Sequence, residues 1–435
     1  MSGRDFALVQ ERGERILWGL TLVLLPLTSF RYIPFLGGSQ VKPLSFVPIA
    51  FLFLSILIRC IRQKKFLFGT NVFPIILLII FVFLVSSAVG GFLAPPDMHG
   101  YAYVDRLLRA WVTLFVGLVF FFVPLVMVRS ENDLRFMMKW LFIGLLGHFV
   151  WAIVQWVALH ADIHMGTLSL ENLIDQVQKS YNMAGLTSTG RVSGLALEPS
   201  WLAAQMAILY LPWLISALLT GYSFGKSLGV PVLYLVLGLL LTAMSYSRSG
   251  ILIIGVSALL TLLLTGRDVI LSLFRWFFSP FKTLKTRPLA TRPIFIRISL
   301  LLFVLASLAG FGYFLTQNQY FAALWQGRGD NLVEYVVNIY AGPRLAYAWA
   351  GWNIFQSHPL FGVGLGGTGF YFYPALPDWS HFNLSEIALI LSPDYTGFPN
   401  TKNLYLRLLA EGGILSLWVW ITFYLYVFSR ILGIF

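Results

Sequence analysis

The sequence predicts an all-α polytopic membrane protein, with about ten transmembrane helices and one large loop outside the membrane. Three observations predict it. First, 58% of the 435 residues are hydrophobic and only 11% are charged, and mean hydropathy is +0.79. Soluble domains average about 45–50% apolar and about 25% charged. Second, the apolar residues fall in runs near the roughly 20 residues that a helix needs to cross a bilayer. Third, basic residues cluster between alternate runs, as cytoplasmic loops do. This composition excludes disorder, collagen and a disulfide scaffold; Cys60 is the single cysteine. Net charge is +12 and pI about 9.7, but the charges sit at span ends, so they report topology and no nucleic-acid partner is expected.

The ten runs lie near 16–30, 44–58, 72–92, 110–128, 140–159, 200–219, 229–245, 250–265, 298–314 and 404–428. The polar stretch MSGRDFALVQERGER leads into the first with no small-residue cleavage site after it, so that run reads as a retained span. With the N-terminus in the cytosol, 19 of the 30 Lys and Arg residues but only 6 of the 18 acids face inward. Both termini are therefore expected to be cytoplasmic. The segment 267–297, with seven basic residues, reads as a topology anchor. Organisation follows from the runs: 1–314 holds nine spans and an external loop at 160–199, 315–403 is a large external loop, and 404–435 holds the last span. Within the first loop, Leu170, Leu173, Ile174 and Val177 share one face of an amphipathic helix. Two further helices are expected near 331–341 and 344–356, followed by a glycine-rich turn, GVGLGGTGFYFYP.

Basic residues outside run against the charge rule and call for a reason. Arg191 (STGRVSGLALEPSW), Arg248 (SYSRSG), Arg344 (AGPRLAYAW) and Lys402 (NTKNLYLRLLAEGG) all stand at helix starts on the outer face. Helix N-termini carry unpaired N–H groups and a partial positive charge, so a cation there is misplaced unless an anion sits opposite. N–H groups and guanidinium forks together make a phosphate site. Headgroup snorkelling or pairing with Glu198 or Asp330 is the plainer alternative.

Glu198 precedes Pro199 at a helix start, where it is either a capping carboxylate or a general base. Arg407 and Glu411 have the spacing of an internal ion pair. His160 and His164 lack a third ligand, so no metal is expected. His381, in PDWSHFN, is a candidate sugar contact. Tyr347, Trp349, Trp352 and Phe355 read as an interfacial belt.

The ordered set RVSGLALEPSW, SYSRSG, PRLAYAWAGWNIFQSHPLFGVGLGG and NTKNLYLRLLAEGGIL, spanning about 191–415, resembles the O-antigen ligase-like superfamily. That group includes O-antigen and exopolysaccharide polymerases, O-antigen ligases and some protein O-oligosaccharyltransferases. The resemblance implies a GT-C-like glycosyltransferase using an undecaprenyl-diphosphate-linked glycan on the periplasmic face of a bacterial inner membrane. It also implies arginines on the donor diphosphate at Arg191, Arg248 and Arg344, no cofactor, and a chain-length regulator as a partner of polymerases. Ligases usually carry a histidine where this chain has Lys402, which favours a polymerase over a ligase. A transporter of lipid-linked sugars is the rival of another class, disfavoured by sparse intramembrane charge and external mass.

Overall fold

The computed structural model describes residues 3–433 apart from 34–39, 66–71, 94, 96, 166–167, 187–189, 223–228, 266–270, 272–273, 276–277, 279–290, 318, 328 and 396. Most of the basic 267–297 segment thus lies outside the described residues. The protein is built from helices; the strand pairing among the described residues is a two-residue antiparallel ladder, β1 (His164–Met165) with β2 (Leu168–Ser169). The helices are α1 (Gly3–Leu24), α2 (Phe46–Gln63), α3 (Phe73–Phe92), α4 (Tyr103–Met127), α5 (Glu131–His160), α6 (Leu170–Tyr181), α7 (Pro199–Gln205), α8 (Leu211–Leu219), α9 (Gly229–Met244), α10 (Arg248–Thr265) and α11 (Thr291–Thr316). They continue as α12 (Gln319–Gln326), α13 (Leu332–Asn338), α14 (Gly342–Ser357), α15 (Phe372–Ala375), α16 (Trp379–Asn383), α17 (Ser385–Leu391) and α18 (Leu404–Ile431).

Each of the ten apolar runs overlaps a helix. Among the described residues, six segments are long and apolar enough to cross a membrane: Phe46–Gln63, Phe73–Phe92, Tyr103–Met127, Glu131–His160, Pro199–Leu218 and Leu404–Ile431. The protein is a multi-pass helical membrane protein. The chain divides into two units of discontinuous sequence, one of 1–52 and 130–322, the other of 53–129 and 323–435.

In the first unit α1 lies along α5. Gly144 allows this approach, because a Cβ there would stand 2.9 Å from the Val23 carbonyl oxygen. α5 starts with a capping box: the Ser130 hydroxyl accepts from the Asp133 N–H, and the Asp133 carboxylate accepts from the Ser130 N–H at 3.1 Å. The span from Pro199 is interrupted by a π-turn over Met206–Tyr210, where the Leu211 N–H bonds to the Met206 carbonyl, five residues back. Pro212 follows in the first turn of α8 and has no N–H to continue an α-helical ladder.

α6 forms as the amphipathic pattern requires, capped by the Ser169 hydroxyl accepting from the Asn172 N–H at 3.2 Å. Its buried face is Ile174 and Gln178, while Val177 is exposed. The apolar stripe misses this because Gln178 is a buried amide: Gln155 donates to its Oε1, and it donates to the Gly185 carbonyl at 3.0 Å.

The second unit is organised by a break in α18. Gly413 sits at φ 64° and ψ −165°, which ends one helical stretch and starts another. The break strands carbonyls that a continuous helix would satisfy, and a membrane offers no water to replace those bonds. The glycine-rich segment supplies them. Val363 N–H donates to the Ala410 carbonyl and Gly364 N–H to the Glu411 carbonyl, each at 2.9 Å, and Ile414 N–H donates to Pro359 at 2.9 Å. α3 closes the other side: the Ser86 hydroxyl reaches the Phe361 carbonyl at 2.6 Å and also that of Glu411. The buried Ser416 hydroxyl donates to the Gly413 carbonyl at 2.9 Å and also meets that of Leu408.

Two glycines are obligatory here. A Cβ on Gly413 would lie 2.1 Å from the Leu360 oxygen, and one on Gly362 (φ +65°) 2.5 Å from the Ala410 oxygen. Gly433 shares the positive φ (+68°) but faces open space. Gly413→Ala should therefore destabilise by roughly 2–5 kcal/mol, combining left-handed strain with overlap. Gly433→Ala should cost about 1–2 kcal/mol at most. Thermal unfolding of the two variants in detergent checks the ordering.

Candidate functional site

Arg191 and Arg248 are brought together in the first unit. Arg248 is the first residue of α10 and is half-buried. The turn before it is fixed by its own serines: Ser245 Oγ accepts from the Ser247 N–H at 3.2 Å, and Ser247 Oγ from the Gly250 N–H at 3.3 Å. Tyr246 within this turn takes φ 46°, a conformation that costs a non-glycine residue energy. Arg191 docks on the same turn, its Nε donating to the Ser245 carbonyl at 2.9 Å, while Val192 N–H bonds to Met244 at 3.2 Å. Arg191 thus docks on the turn that leads into Arg248, although it stands in an extended segment and not at a helix start as the sequence led one to expect.

A buried amide lattice holds the Arg191 segment in place. Gln155, with no exposed surface, accepts the Ser193 and Gly194 N–H groups at 3.1 and 2.8 Å and donates to the Gly194 carbonyl at 3.0 Å. The Leu195 N–H donates to His148 Nδ1 at 2.9 Å, so the His148 proton is on Nε2. Gly194 has φ +57°, and a Cβ there would stand 2.6 Å from His148 Nδ1. Asn182 donates to the Ala196 carbonyl at 2.9 Å.

Glu198 stands at the N-cap position of α7 and is exposed. Its side chain caps no backbone N–H; its Oε1 accepts from the Ser200 hydroxyl at 2.9 Å. The position is that of a cap, and the carboxylate stays available to solvent.

Arg344, Lys402 and His381 belong to the second unit. Arg344 is exposed in the first turn of α14 and has no acid partner among the described residues. Lys402 precedes the Asn403 cap of α18 in a positive-φ conformation (48°), held by Asn400 Oδ1 accepting its N–H at 2.9 Å. Its ammonium pairs with Glu386 Oε1 at 2.5 Å and lies 4.5 Å from the centre of the Tyr347 ring. The Tyr347 hydroxyl donates to the same Glu386 oxygen at 2.9 Å. Burial, and then the neighbouring Glu386, push the Tyr347 phenol above its ordinary value, so it remains a donor. His381 packs edge-on against Tyr373, with ring centres 5.8 Å apart.

Arg407 and Glu411 form the ion pair read from their spacing, Nε to Oε1 at 2.9 Å, and Thr368 donates to the same buried carboxylate at 3.2 Å. His160 Nδ1 lies 2.9 Å from the Trp156 carbonyl and His164 Nε2 lies 3.0 Å from Asp162. Among the described residues no group of three or more His, Cys, Asp or Glu side chains could hold a metal ion.

Sequence reasoning missed Glu386 and Arg106. Arg106, in the first turn of α4, is clamped between the rings of Tyr101 (4.0 Å) and Phe398 (3.9 Å). The same test of basic residues at helix starts would have found it, but the fourth run was read from 110 and α4 starts at Tyr103. Glu386 carried no signal, since its partner Tyr347 was grouped with the belt. The structure splits that belt: Tyr347 is fully buried, while Trp349 and Trp352 are 45% and 44% exposed.

The fold defines a class: a multi-pass helical membrane protein in which α18 is broken and stitched to a glycine-rich loop, with arginines at helix starts. Residues 233–421 match the family described as Wzy_C, O-antigen ligase, which bears out the superfamily resemblance. Members of that family are membrane enzymes acting on lipid-linked sugars. The match takes in Arg248, Arg344, His381, Lys402 and the α18 break; Arg191 and Glu198 precede it. Comparison with curated proteins and with solved structures gave no match.

Gln155→Leu should free two buried N–H groups, at about 1–3 kcal/mol each. Hydrogen exchange at Ser193 and Gly194 should accelerate well beyond that at the start of α10.

Proposed function

We propose that the protein is a glycosyltransferase of a bacterial inner membrane. It polymerises undecaprenyl-diphosphate-linked oligosaccharide units on the periplasmic face, with both termini cytoplasmic. The observation that supports this reading is the docking of Arg191 on the turn that presents Arg248, a turn inside the residues that match the O-antigen ligase family. Breaking a sugar–phosphate bond builds charge on the departing diphosphate. Cations fixed in advance stabilise that charge most in the transition state. Arg191 and Arg248 take this role, and Arg344 is proposed to bind phosphate as well. Glu198 accepts the proton of the acceptor hydroxyl. The oxygen then attacks the anomeric carbon from the face opposite the diphosphate, the bond to that diphosphate breaks, and its electron pair leaves with undecaprenyl diphosphate. The configuration inverts. Guanidinium groups do the work of a divalent ion, so turnover should persist in EDTA. Lys402 enters on different terms, because Glu386 already balances its charge. His381 beside Tyr373 is proposed to touch a sugar. A chain-length regulator is the partner that a polymerase of this kind would take.

Lysine where ligases carry histidine supports the polymerase over the ligase. Purified protein incubated with lipid-linked repeat units should give a ladder of products; transfer of one unit to lipid A core would make it a ligase, and neither product would refute the enzyme. Arg191→Ala and Arg248→Ala should each lose about 10²–10³-fold in rate, as removal of a transition-state donor does. Full activity in either variant removes the arginine assignment, and normal turnover by Glu198→Gln removes the base alone.

A further inference from the structure

The ion pair between Lys402 and Glu386 makes little sense as a stabilising contact. Both side chains are nearly half exposed, at 45% and 42%, and such pairs contribute about 0–1 kcal/mol. Yet their setting is rigid. Lys402 takes a positive-φ backbone held by Asn400, and Glu386 is anchored by a tyrosine buried in the core cluster of α14, α15 and α17. Rigidity spent on an exposed pair points to a ligand.

The bonding pattern says which kind. Glu386 Oε1 accepts from both the Tyr347 hydroxyl and the Lys402 ammonium, whereas Oε2 accepts nothing among the described residues. The ammonium has three protons; one goes to Glu386 and the Tyr347 ring face lies 4.5 Å away. The pair therefore presents one open acceptor and at least one open donor side by side, with no net charge. A diphosphate is a poor match, because it would meet the carboxylate with like charge. A sugar hydroxyl is a good match, because each hydroxyl both donates and accepts.

We propose that Lys402 and Glu386 together bind adjacent hydroxyls of the glycan, and that Lys402 is thus a sugar-binding residue and not a diphosphate-binding one. This rests on the proposal that the substrate is a lipid-linked glycan. Tyr347 is a positioning residue, which keeps the open carboxylate oxygen turned to the ligand.

The test uses the full-length protein in detergent and two probes: oligosaccharide released by mild acid from the source cells' own lipid-linked repeat units, and undecaprenyl diphosphate. Glu386→Gln and Lys402→Met should each weaken oligosaccharide binding about tenfold, the loss for one hydrogen bond to a charged group. Binding of undecaprenyl diphosphate should stay within about twofold, a difference under 0.5 kcal/mol. Tyr347→Phe should lower oligosaccharide affinity less than Glu386→Gln and leave undecaprenyl diphosphate alone. If Glu386→Gln does not fold, Lys402→Met, on an exposed side chain, decides the matter. Loss of undecaprenyl diphosphate binding in Lys402→Met with oligosaccharide binding intact overturns the inference. So does normal oligosaccharide binding in both variants of a ladder-forming protein. A wild-type protein that binds the oligosaccharide but builds no ladder overturns the polymerase reading alone.

Discussion

A helix that stops inside a membrane protein must find new partners for the peptide groups it releases, since hydrocarbon offers none. In this chain the stop is Gly413, and the partners come from a glycine-rich segment laid across the break, from α3 and from Ser416. The rest of the second unit depends on that exchange. Lys402 and Asn403 lead into α18 ahead of the break, and its first stretch carries Arg407, half-buried, paired with the buried Glu411. A straight α18 would leave Val363 and Gly364 without acceptors and would release the loop that packs against α14. The glycines of GVGLGGTG allow close backbone approach.

The first unit solves a related problem with side chains instead of glycines. Its extended segment 191–198 runs between helices, and each backbone N–H from Val192 to Leu197 finds an acceptor. Gln155 serves Ser193 and Gly194, His148 serves Leu195, and the Thr28 hydroxyl accepts from Leu197 N–H at 2.9 Å. Arg191 stands at the head of this segment, its Nε bonded to the Ser245 carbonyl.

Much of this was legible in the sequence, and the limits are instructive. Span positions are read from hydropathy because lipid demands long apolar runs, so each run overlaps a helix. The ends are less well read. α1 extends back to Gly3 and α4 to Tyr103, because polar residues at a span's end can be helical without being in lipid. Arg248 opens α10 as expected, but Arg191 does not start a helix: it heads an extended segment eight residues before α7, and it reaches the turn before Arg248 through the Ser245 carbonyl. The Arg407–Glu411 pair followed from a four-residue spacing. Glu386 and Gln155 were not legible. Each acts through a partner distant in sequence, and a periodicity argument sees only neighbours. Gln178 misled for the same reason: a polar residue on a buried face is invisible to an apolar stripe until its amide partner on α5 is known.

The contact between Ser86 and Glu411 joins residues 325 positions apart. A ribosome feeding this chain into a bilayer releases α3 and α4 long before α18 exists. Until then Ser86 lacks the Phe361 and Glu411 carbonyls that it bonds in the folded protein. The first unit's 130–322 stretch is synthesised in that interval. Biogenesis therefore runs out of register with architecture: the earlier-made helices of the second unit wait for α18.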